Sequence, residues 1–246
     1  MQPLIKTTGV HLSFGGVLAA DNIDFELYSG ERLAVIGQNG AGKTTFINIC
    51  TGYLKPQAGK IWFDGHDITA MKPRKIVRMG LGRSFQLPQL FTEHTVRECI
   101  QISAARQNPR LSAFKPLADT VDSHEIESTL ELVGLREDAQ VLSSDLPEGK
   151  RKLLDVAMAL ALRPKLIIMD EPTSGVASED KHDLMQTVMD ALDERKVTSW
   201  FVEHDVDIVA QYASRVAAWI NGAIVADGPP DDVLSDPRIK SEVLGN

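Results

Sequence analysis

The feature that most constrains this chain is a glycine-rich stretch ending in a lysine and two threonines, GQNGAGKTT at residues 37–45. It matches the pattern G-x-x-x-x-G-K-[ST], follows the apolar stretch RLAVIG and opens the helix-like stretch KTTFINICTGYL. In this setting the glycines let backbone N–H groups converge on phosphate oxygens at the positive end of a helix. The pattern predicts a nucleotide phosphate site, with Lys43 at the β- and γ-phosphates and the Thr44 hydroxyl on Mg²⁺. The predicted loop residues are Gly37, Gln38, Asn39, Gly40, Ala41, Gly42, Lys43, Thr44 and Thr45.

Polar residues follow two further apolar stretches. KLIIMDE gives four apolar residues and then Asp170 and Glu171, and SWFVEHD ends in His204. Open α/β sheets bind ligands at the carboxyl ends of their strands. We expect Asp170 to contact Mg²⁺, directly or through water, Glu171 to polarise an attacking water, and His204 to contact the γ-phosphate. Acidic residues also finish strands in solvent, but the upstream phosphate loop favours the catalytic interpretation.

The order of elements predicts an α/β fold. The first thirty residues alternate in strand fashion, and the dipeptides Asp64-Gly65 and Asn221-Gly222 predict hairpins. The segment from about residue 73 to residue 161 is predicted to be mostly helical, with a loose stretch, RQNPRLSAFKPLADT, in its middle. Strands that alternate with helices indicate a largely parallel sheet, here with an antiparallel lobe at the N-terminus and a helical insertion.

Charge and composition exclude some classes of protein. The net charge of -8 argues against a general nucleic-acid binder, which would carry a basic stripe. No apolar run approaches the ~20 residues of a membrane span, and the N-terminus lacks the plan of a signal peptide. Two cysteines, Cys50 and Cys99, are too few for a disulfide framework, so we expect buried free thiols in a reducing compartment.

The stretch DLPEGKRKLLDVAMALALRP, residues 145–164, raises a separate question. Its apolar residues recur near a 3.6-residue period, so it is predicted to be a helix. The helix begins at Pro147 and Glu148, and three basic residues follow Gly149. Proline and an acid make a good helix start without any ligand, so two interpretations remain open: a helix start alone, or a site that meets an anion.

The order of GQNGAGKTT, RSFQ, this helix start, KLIIMDEPTSG and FVEHD resembles the nucleotide-binding subunit of an ATP-binding-cassette (ABC) transporter over essentially the whole chain. A GTPase would need an N-K-x-D motif, which the sequence lacks. The resemblance implies an α/β P-loop NTPase of ABC type, a mostly parallel RecA-like core with an N-terminal antiparallel β lobe and an inserted helical subdomain. It implies one domain, with residues 1–86 and 162–246 as the core and about 87–161 as the helical subdomain.

The resemblance also implies the cofactors ATP and Mg²⁺ and further site residues. Phe14 would stack on adenine, although an apolar aromatic residue can also be an ordinary core residue. Gln86 in RSFQ would touch Mg²⁺ and the attacking water and sense the helical insertion.

Finer similarity favours one branch of the family. LSFGGVLAADNIDFEL, GLGRSFQLPQLFTEHTVRECI and the tail DPRIKSEVLG are similar to ATPases of branched-chain amino-acid and related amide importers. The implied partners are a second ABC ATPase subunit in a homo- or heterodimer, two transmembrane permease subunits and, indirectly, a solute-binding protein, with no nucleic acid. The implied location is cytoplasmic, peripheral at the inner face of the cell membrane. A lipopolysaccharide-export ATPase and a low-turnover regulatory subunit are the alternatives. A soluble ABC-type protein acting on ribosomes or DNA would carry extensions that are absent here.

The helix start at residue 146 falls where the family has its signature, leucine-serine-glycine-glycine-glutamine, which binds the ATP held by the other subunit. The corresponding residues here are Leu146, Pro147, Glu148, Gly149 and Lys150. Pro147 has neither a hydroxyl nor an N–H group, and Glu148 brings negative charge towards phosphate, which Lys150, Arg151 and Lys152 would partly offset. Ala177 replaces the aspartate or asparagine that usually follows DEPTSG. We therefore expect an asymmetric dimer, in which this chain offers a weakened contact to the other ATP.

Overall fold

The computed structural model describes residues 2–106 and 121–245. Apart from its first residue, the stretch predicted to be loose, RQNPRLSAFKPLADT, lies outside the described residues. The strands are β1 (Ile5–Phe14), β2 (Val17–Leu27), β3 (Arg32–Gly37), β4 (Ala58–Phe63), β5 (His66–Asp67), β6 (Leu81–Ser84), β7 (Leu166–Asp170), β8 (Thr198–Val202), β9 (Arg215–Ile220) and β10 (Ala223–Gly228). The helices are α1 (Lys43–Cys50), α2 (Pro73–Arg78), α3 (Val96–Ala105), α4 (Ser123–Leu132), α5 (Glu148–Leu160), α6 (Lys181–Glu194), α7 (Val206–Tyr212), α8 (Pro230–Ser235) and α9 (Pro237–Ile239), with a 3₁₀ turn at Ser143–Asp145 and a π-helical turn at Lys240–Leu244.

The larger sheet has six strands in the order β10-β9-β3-β8-β7-β6. All neighbouring strands are parallel except β10, which pairs with β9 in antiparallel fashion. Every residue of β7 and β8 is buried, as expected for parallel strands covered on both faces. The prediction of a mostly parallel α/β core is confirmed.

The smaller sheet is antiparallel, with four strands in the order β2-β1-β4-β5. Both predicted hairpins are present. Asp64 and Gly65 have φ of 49° and 76°, and Asn221 and Gly222 have φ of 48° and 81°. Two successive positive φ values are the requirement of a type I′ turn, which explains the Asp-Gly and Asn-Gly dipeptides.

Helix α1 lies in the core that joins the two sheets. Phe46 of α1 contacts Phe25, Trp200 and Trp219, with ring centroids 5.8, 5.6 and 5.4 Å away. These rings come from β2, β8 and β9, so aromatic packing from both sheets fixes the helix. The position of α1 in turn fixes the phosphate loop that precedes it.

A second apolar core lies on the other face of the larger sheet, where helices α3 to α6 pack with α7. Strand β6 was not predicted, since its segment was expected to be helical; it is held in the sheet by parallel pairing with β7. Cys50 and Cys99 are buried and free, as predicted, and burial raises the pKa of both thiols. Within residues 2–106 and 121–245 no helix combines the length and apolar composition needed to cross a membrane.

Candidate nucleotide-binding and catalytic site

Four parallel strands bring the predicted site residues to one edge of the larger sheet. Gly37 ends β3 and Asp170 ends β7, while Gln86 and His204 each lie two residues beyond the ends of β6 and β8. Because these strands are parallel, their carboxyl ends meet at the same edge. Segments far apart in the sequence therefore form one site.

The phosphate loop is a tight turn whose lysine is folded back onto it. Lys43 Nζ donates to the carbonyl oxygens of Gly37 at 2.5 Å and Gln38 at 2.9 Å. Gly42, with φ of 99°, caps α1 without a side-chain hydrogen bond, so the first N–H groups of the helix have no side-chain acceptor there. Burial lowers the pKa of Lys43, and the charges of Glu171 and Asp170 oppose that shift. A buried cation beside helical N–H groups is a suitable environment for a phosphate anion.

The residues predicted to bind Mg²⁺ supply oxygen ligands, which this ion prefers. Thr44 Oγ1 donates to Asp170 Oδ1 at 3.4 Å, so the hydroxyl and the carboxylate lie side by side. Arg83, which was not predicted, donates to Asp170 Oδ2 at 3.3 Å. Burial raises the pKa of Asp170, whereas the charge of Arg83 lowers it. Thr44 and Asp170 therefore fit a divalent cation held together with phosphates. Gln86, also predicted as a ligand, donates its amide nitrogen to Glu171, and its amide oxygen is the atom that could bind the ion.

Glu171 lies at the centre of the site. Gln86 Nε2 donates to Glu171 Oε2 at 2.7 Å, and His204 Nε2 is 3.1 Å from Glu171 Oε1. The backbone of Glu171 is left-handed, with φ of 52°, and its N–H donates to the carbonyl of Val202. The carboxylate is thus held by two side chains at the cleft that contains the phosphate loop.

Phe14 ends β1 and is half-exposed, so the alternative of an ordinary core phenylalanine is wrong. The ring borders a cleft with a volume of about 270 Å³. The same cleft is lined by Val17, Gly40, Lys43 and Glu171. An exposed aromatic ring beside a phosphate loop can stack on a planar base.

The residues at the signature position lie away from this cleft. Leu146 is buried, Pro147 caps α5 without a side-chain hydrogen bond, and Glu148 begins the helix. With Gly149, Lys150 and Ala177, both Pro147 and Glu148 line a separate cleft that faces α6. The structure therefore does not bring this segment to the phosphate loop of its own chain.

Two of the three lysines and arginines expected to offset Glu148 have other contacts. Lys150 Nζ forms an ion pair with Asp138 at 2.7 Å. Lys152 is buried, and its ammonium donates to the backbone carbonyls of Gln86 and Glu171. Lys152 therefore does not project towards an external phosphate, although its charge still interacts with that of Glu148.

Three charged residues near the site were missed, Arg83, Asp155 and Glu203, and Lys152 was considered only as a charge beside Glu148. Glu203 is buried and accepts hydrogen bonds from the backbone N–H and the hydroxyl of Thr173. Asp155 accepts from the backbone N–H groups of Phe85 and Gln89. The sequence did hold one indication of a buried charge. Asp155 lies between Leu154 and Val156, two buried apolar residues of the helix.

Comparisons of the sequence and of the fold with known proteins identify relatives of this chain. The family model described as ABC transporter matches residues 20–174. A high-affinity branched-chain amino acid transport ATP-binding protein of Escherichia coli, LivG, is 31% identical over 99% of this chain and 98% of its own length. A probable LivG protein of Methanocaldococcus jannaschii is 32% identical over 98% of this chain and 97% of its own. A solved ATP-binding cassette of an ABC transporter in its ADP conformation matches with a TM-score of 0.83 and 31% identity, covering 98% of each chain.

Proposed function

The chain belongs to the ABC transporter family, and from this we propose that it is an ATP-hydrolysing subunit that drives uptake of branched-chain amino acids or related amides. The transport function in the names of its relatives supports this solute class. These relatives favour uptake over the alternative of lipopolysaccharide export.

The observation that carries the proposal is the position of Glu171. Its carboxylate is held by Gln86 and His204 at the rim of the cleft that contains Lys43. A carboxylate held beside a triphosphate can accept the proton of the attacking water, and a general base of this kind contributes a rate factor of about 10²–10⁴. Hydrolysis at this cleft is the reaction that the geometry supports best.

Each remaining residue has a task in that reaction. Lys43 exchanges its carbonyl contacts for the β- and γ-phosphates, and the N–H groups of residues 40–45 bind the same oxygens. Phe14 stacks on the adenine, and His204 contacts the γ-phosphate. Thr44, Asp170 and Gln86 would hold Mg²⁺, which neutralises phosphate charge when it is bound.

The proposed assembly follows the family. A second ATPase subunit completes each ATP site, and two permease subunits hold the pair at the inner face of the cell membrane. A solute-binding protein would deliver the solute. The helical subdomain predicted for residues of about 87–161 would transmit closure of the ATPase pair to the permease.

The N-terminus of α5 supports an asymmetric pair. Pro147 offers no hydroxyl, and Lys150 is held by Asp138. Among the residues that the structure describes, a Cβ on Gly149 would meet only Leu184 Cδ1, at 3.8 Å, so packing against them does not account for the glycine, whereas close approach of a second chain does. This segment contacts the ATP bound by the partner, but more weakly than a serine would. If this contact were too weak to support hydrolysis, the chain would be a low-turnover regulatory subunit.

The test is phosphate release by the transporter assembled with its permease and second ATPase subunit. We expect Glu171→Gln to lower kcat by at least about 100-fold while ATP binding, measured by calorimetry, is retained. Glu131→Gln, an exposed glutamate on α4, is the matched control. Equal activity of the Glu171 and Glu131 variants would contradict the assignment.

A further inference from the structure

Lys152 is a buried cation whose ammonium bonds to two backbone carbonyls of the catalytic site. Its exposed fraction is 4%, and Nζ donates to the carbonyl of Gln86 at 3.1 Å and to that of Glu171 at 3.1 Å. The side chains of these two residues bond to each other at 2.7 Å. Lys152 therefore joins, through the backbone, the two residues that meet at the site of the attacking water.

Asp155 provides a second attachment from the same helix. It lies three residues after Lys152, on the same face of α5, and accepts from the backbone N–H of Phe85 at 3.0 Å and of Gln89 at 3.4 Å. These donors flank Gln86 on both sides. The segment that carries Gln86 is thus attached to α5 before, at and after the glutamine.

The bond to Glu171 falls on a strained part of the backbone. Glu171 adopts a left-handed conformation, which side chains other than glycine rarely adopt and which persists where its surroundings hold it. The N–H of Glu171 bonds to Val202, and its carbonyl receives the ammonium of Lys152 together with the N–H of Ser174. Lys152 thereby helps to fix the direction of the Glu171 side chain.

The charges around Lys152 suit this role. Burial lowers its pKa, and the carboxylates of Glu148, Glu203, Asp155 and Glu171 oppose that shift. A hydrogen bond from an ionised donor is stronger than one between neutral groups. Two such bonds attach α5 firmly to the turn after β7 and to the segment after β6.

The N-terminal end of α5 is the segment proposed above to meet the ATP of the partner subunit. Glu148 begins the helix and Lys152 lies four residues later, about 6 Å along the axis at 1.5 Å per residue. The ion pair of Lys150 with Asp138 holds the first turn from the other side. A shift at the first turn is therefore passed to Lys152 through little more than one turn of continuous helix.

We propose that Lys152 is a positioning residue that links the two ATP sites of the dimer. Contact of the α5 N-terminus with partner-bound ATP moves α5, and Lys152 transmits this movement to Gln86 and Glu171 of its own chain. The proposal rests on the proposed function, because it requires the partner's ATP at this helix. It explains why a charged residue occupies a buried position that is not part of the phosphate site.

The experiment compares Lys152→Met, which keeps the chain length without the charge, with Lys152→Arg, which keeps the charge and the donors. Lys152→Gln is a milder variant that keeps one donor group. Lys165→Met is the matched control, since Lys165 precedes β7 at the opposite end of that strand and pairs with Asp64. Thermal melting of each variant establishes that it is folded.

Amide hydrogen exchange of the isolated chain is the first readout, and it does not depend on activity. We expect Lys152→Met to speed exchange about tenfold in the amides of residues 85–87, 89, 171, 173 and 174, because the Lys152 bonds to Gln86 and Glu171 are lost. Lys152→Arg and Lys165→Met are expected to exchange like the wild type. Unchanged exchange in Lys152→Met would overturn the proposed anchor.

Cooperativity of ATP hydrolysis by the assembled transporter is the second readout. We expect a Hill coefficient above 1 for the wild type, a value of about 1 with at least tenfold lower kcat for Lys152→Met, and recovery in Lys152→Arg. The KM for ATP should stay within about twofold, because Lys152 does not touch the nucleotide.

Faster exchange with unchanged cooperativity would overturn the link between the sites and leave only a local anchor. A wild-type assembly that hydrolyses no ATP would overturn the proposed function and the link with it, whatever the exchange data show.

Discussion

Phe14 offers the most direct test at the scale of a single residue. Because its ring is half-exposed, Phe14→Ala should remove adenine stacking without a loss of fold stability. Alanine substitution of a residue stacked on a base costs about 1–3 kcal/mol, so the Kd for ADP should rise about 5- to 150-fold by calorimetry.

The control separates adenine from phosphate. Inorganic tripolyphosphate should bind the Phe14 variant as it binds the wild type, because the phosphate loop is unchanged. Phe91→Ala removes a comparably exposed ring away from the cleft and should leave ADP affinity unaltered. If the affinity for tripolyphosphate fell as much as that for ADP, Phe14 would not be an adenine contact.

Asp155 gives a pH-dependent prediction. Burial raises its pKa, against hydrogen bonds from Ser84, Phe85 and Gln89. The pKa of an aspartate in an unfolded chain is about 3.9. Between that pH and the higher pKa of Asp155 in the folded chain, the folded chain binds more protons than the unfolded chain. The contribution of Asp155 to the free energy of unfolding therefore falls as pH rises through this interval, and the penalty is fully present above it.

Asp155→Asn removes that titration. The free energy of unfolding of the variant, minus that of the wild type, should increase as pH rises from about 3 to 7. Any effect of the substitution that does not depend on pH adds the same amount at every pH and leaves this trend unchanged. Urea unfolding at several pH values measures it. Asp231→Asn, at an exposed aspartate of α8, is the control. A difference that is independent of pH would mean that Asp155 titrates alike in both states.

The sequence predicted a site residue when a local motif marked it, and missed a residue whose hydrogen-bond partners are distant in the sequence. Lys43, Asp170, Glu171 and His204 each follow a recognisable apolar stretch, and parallel pairing then brings the strand ends together. Lys152 bonds to backbone atoms 66 and 19 residues away, and no local pattern records those partners. Sequence therefore indicated the groups proposed to contact the nucleotide but not the groups that hold them.

At the scale of elements, local signals predicted turns better than strand pairing. The Asp-Gly and Asn-Gly turns are encoded by their own φ requirements, so both hairpins are confirmed. Strand β6 has four residues, LGRS, with no alternation of its own, and only its pairing with β7 makes it a strand. A helix was expected in its place for that reason.

The turn from β3 into α1 can be tested with two glycines. Gly40 and Gly42 have φ of 82° and 99°, so alanine at either position should cost about 1–2 kcal/mol for its left-handed backbone. A Cβ at Gly42 would also lie 2.2 Å from the carbonyl oxygen of Ala19, whereas one at Gly40 meets no described residue within 4 Å. We expect Gly42→Ala to lose a further ~1–3 kcal/mol of unfolding free energy in urea titrations. Equal losses would show that β2 moves away at little cost.

At the scale of the whole molecule, the two surfaces that we propose to contact ATP are separate. The phosphate-loop cleft lies at one edge of the larger sheet, and the cleft at the start of α5 lies beside α6. The family resemblance implied both surfaces and a different ATP for each, and the fold gives their positions on the chain. This separation is consistent with a partner subunit that supplies the second half of each ATP site.

In the proposed dimer, Pro147 limits how strong the contact from this chain to the partner's ATP can be. A charge-assisted hydrogen bond to phosphate contributes about 1.5–3 kcal/mol, and Pro147 has no group that could donate one. Pro147→Ser supplies a hydroxyl at the N-cap of α5 and should raise phosphate release by the assembled transporter about tenfold. Pro147→Ala restores the backbone N–H without the hydroxyl and is the matched control. Since serine also caps helices, urea unfolding of both variants separates a gain in stability from a gain in turnover. Equal turnover in the serine and alanine variants would show that the hydroxyl makes no contact with the partner's ATP, and the asymmetry would then need another cause.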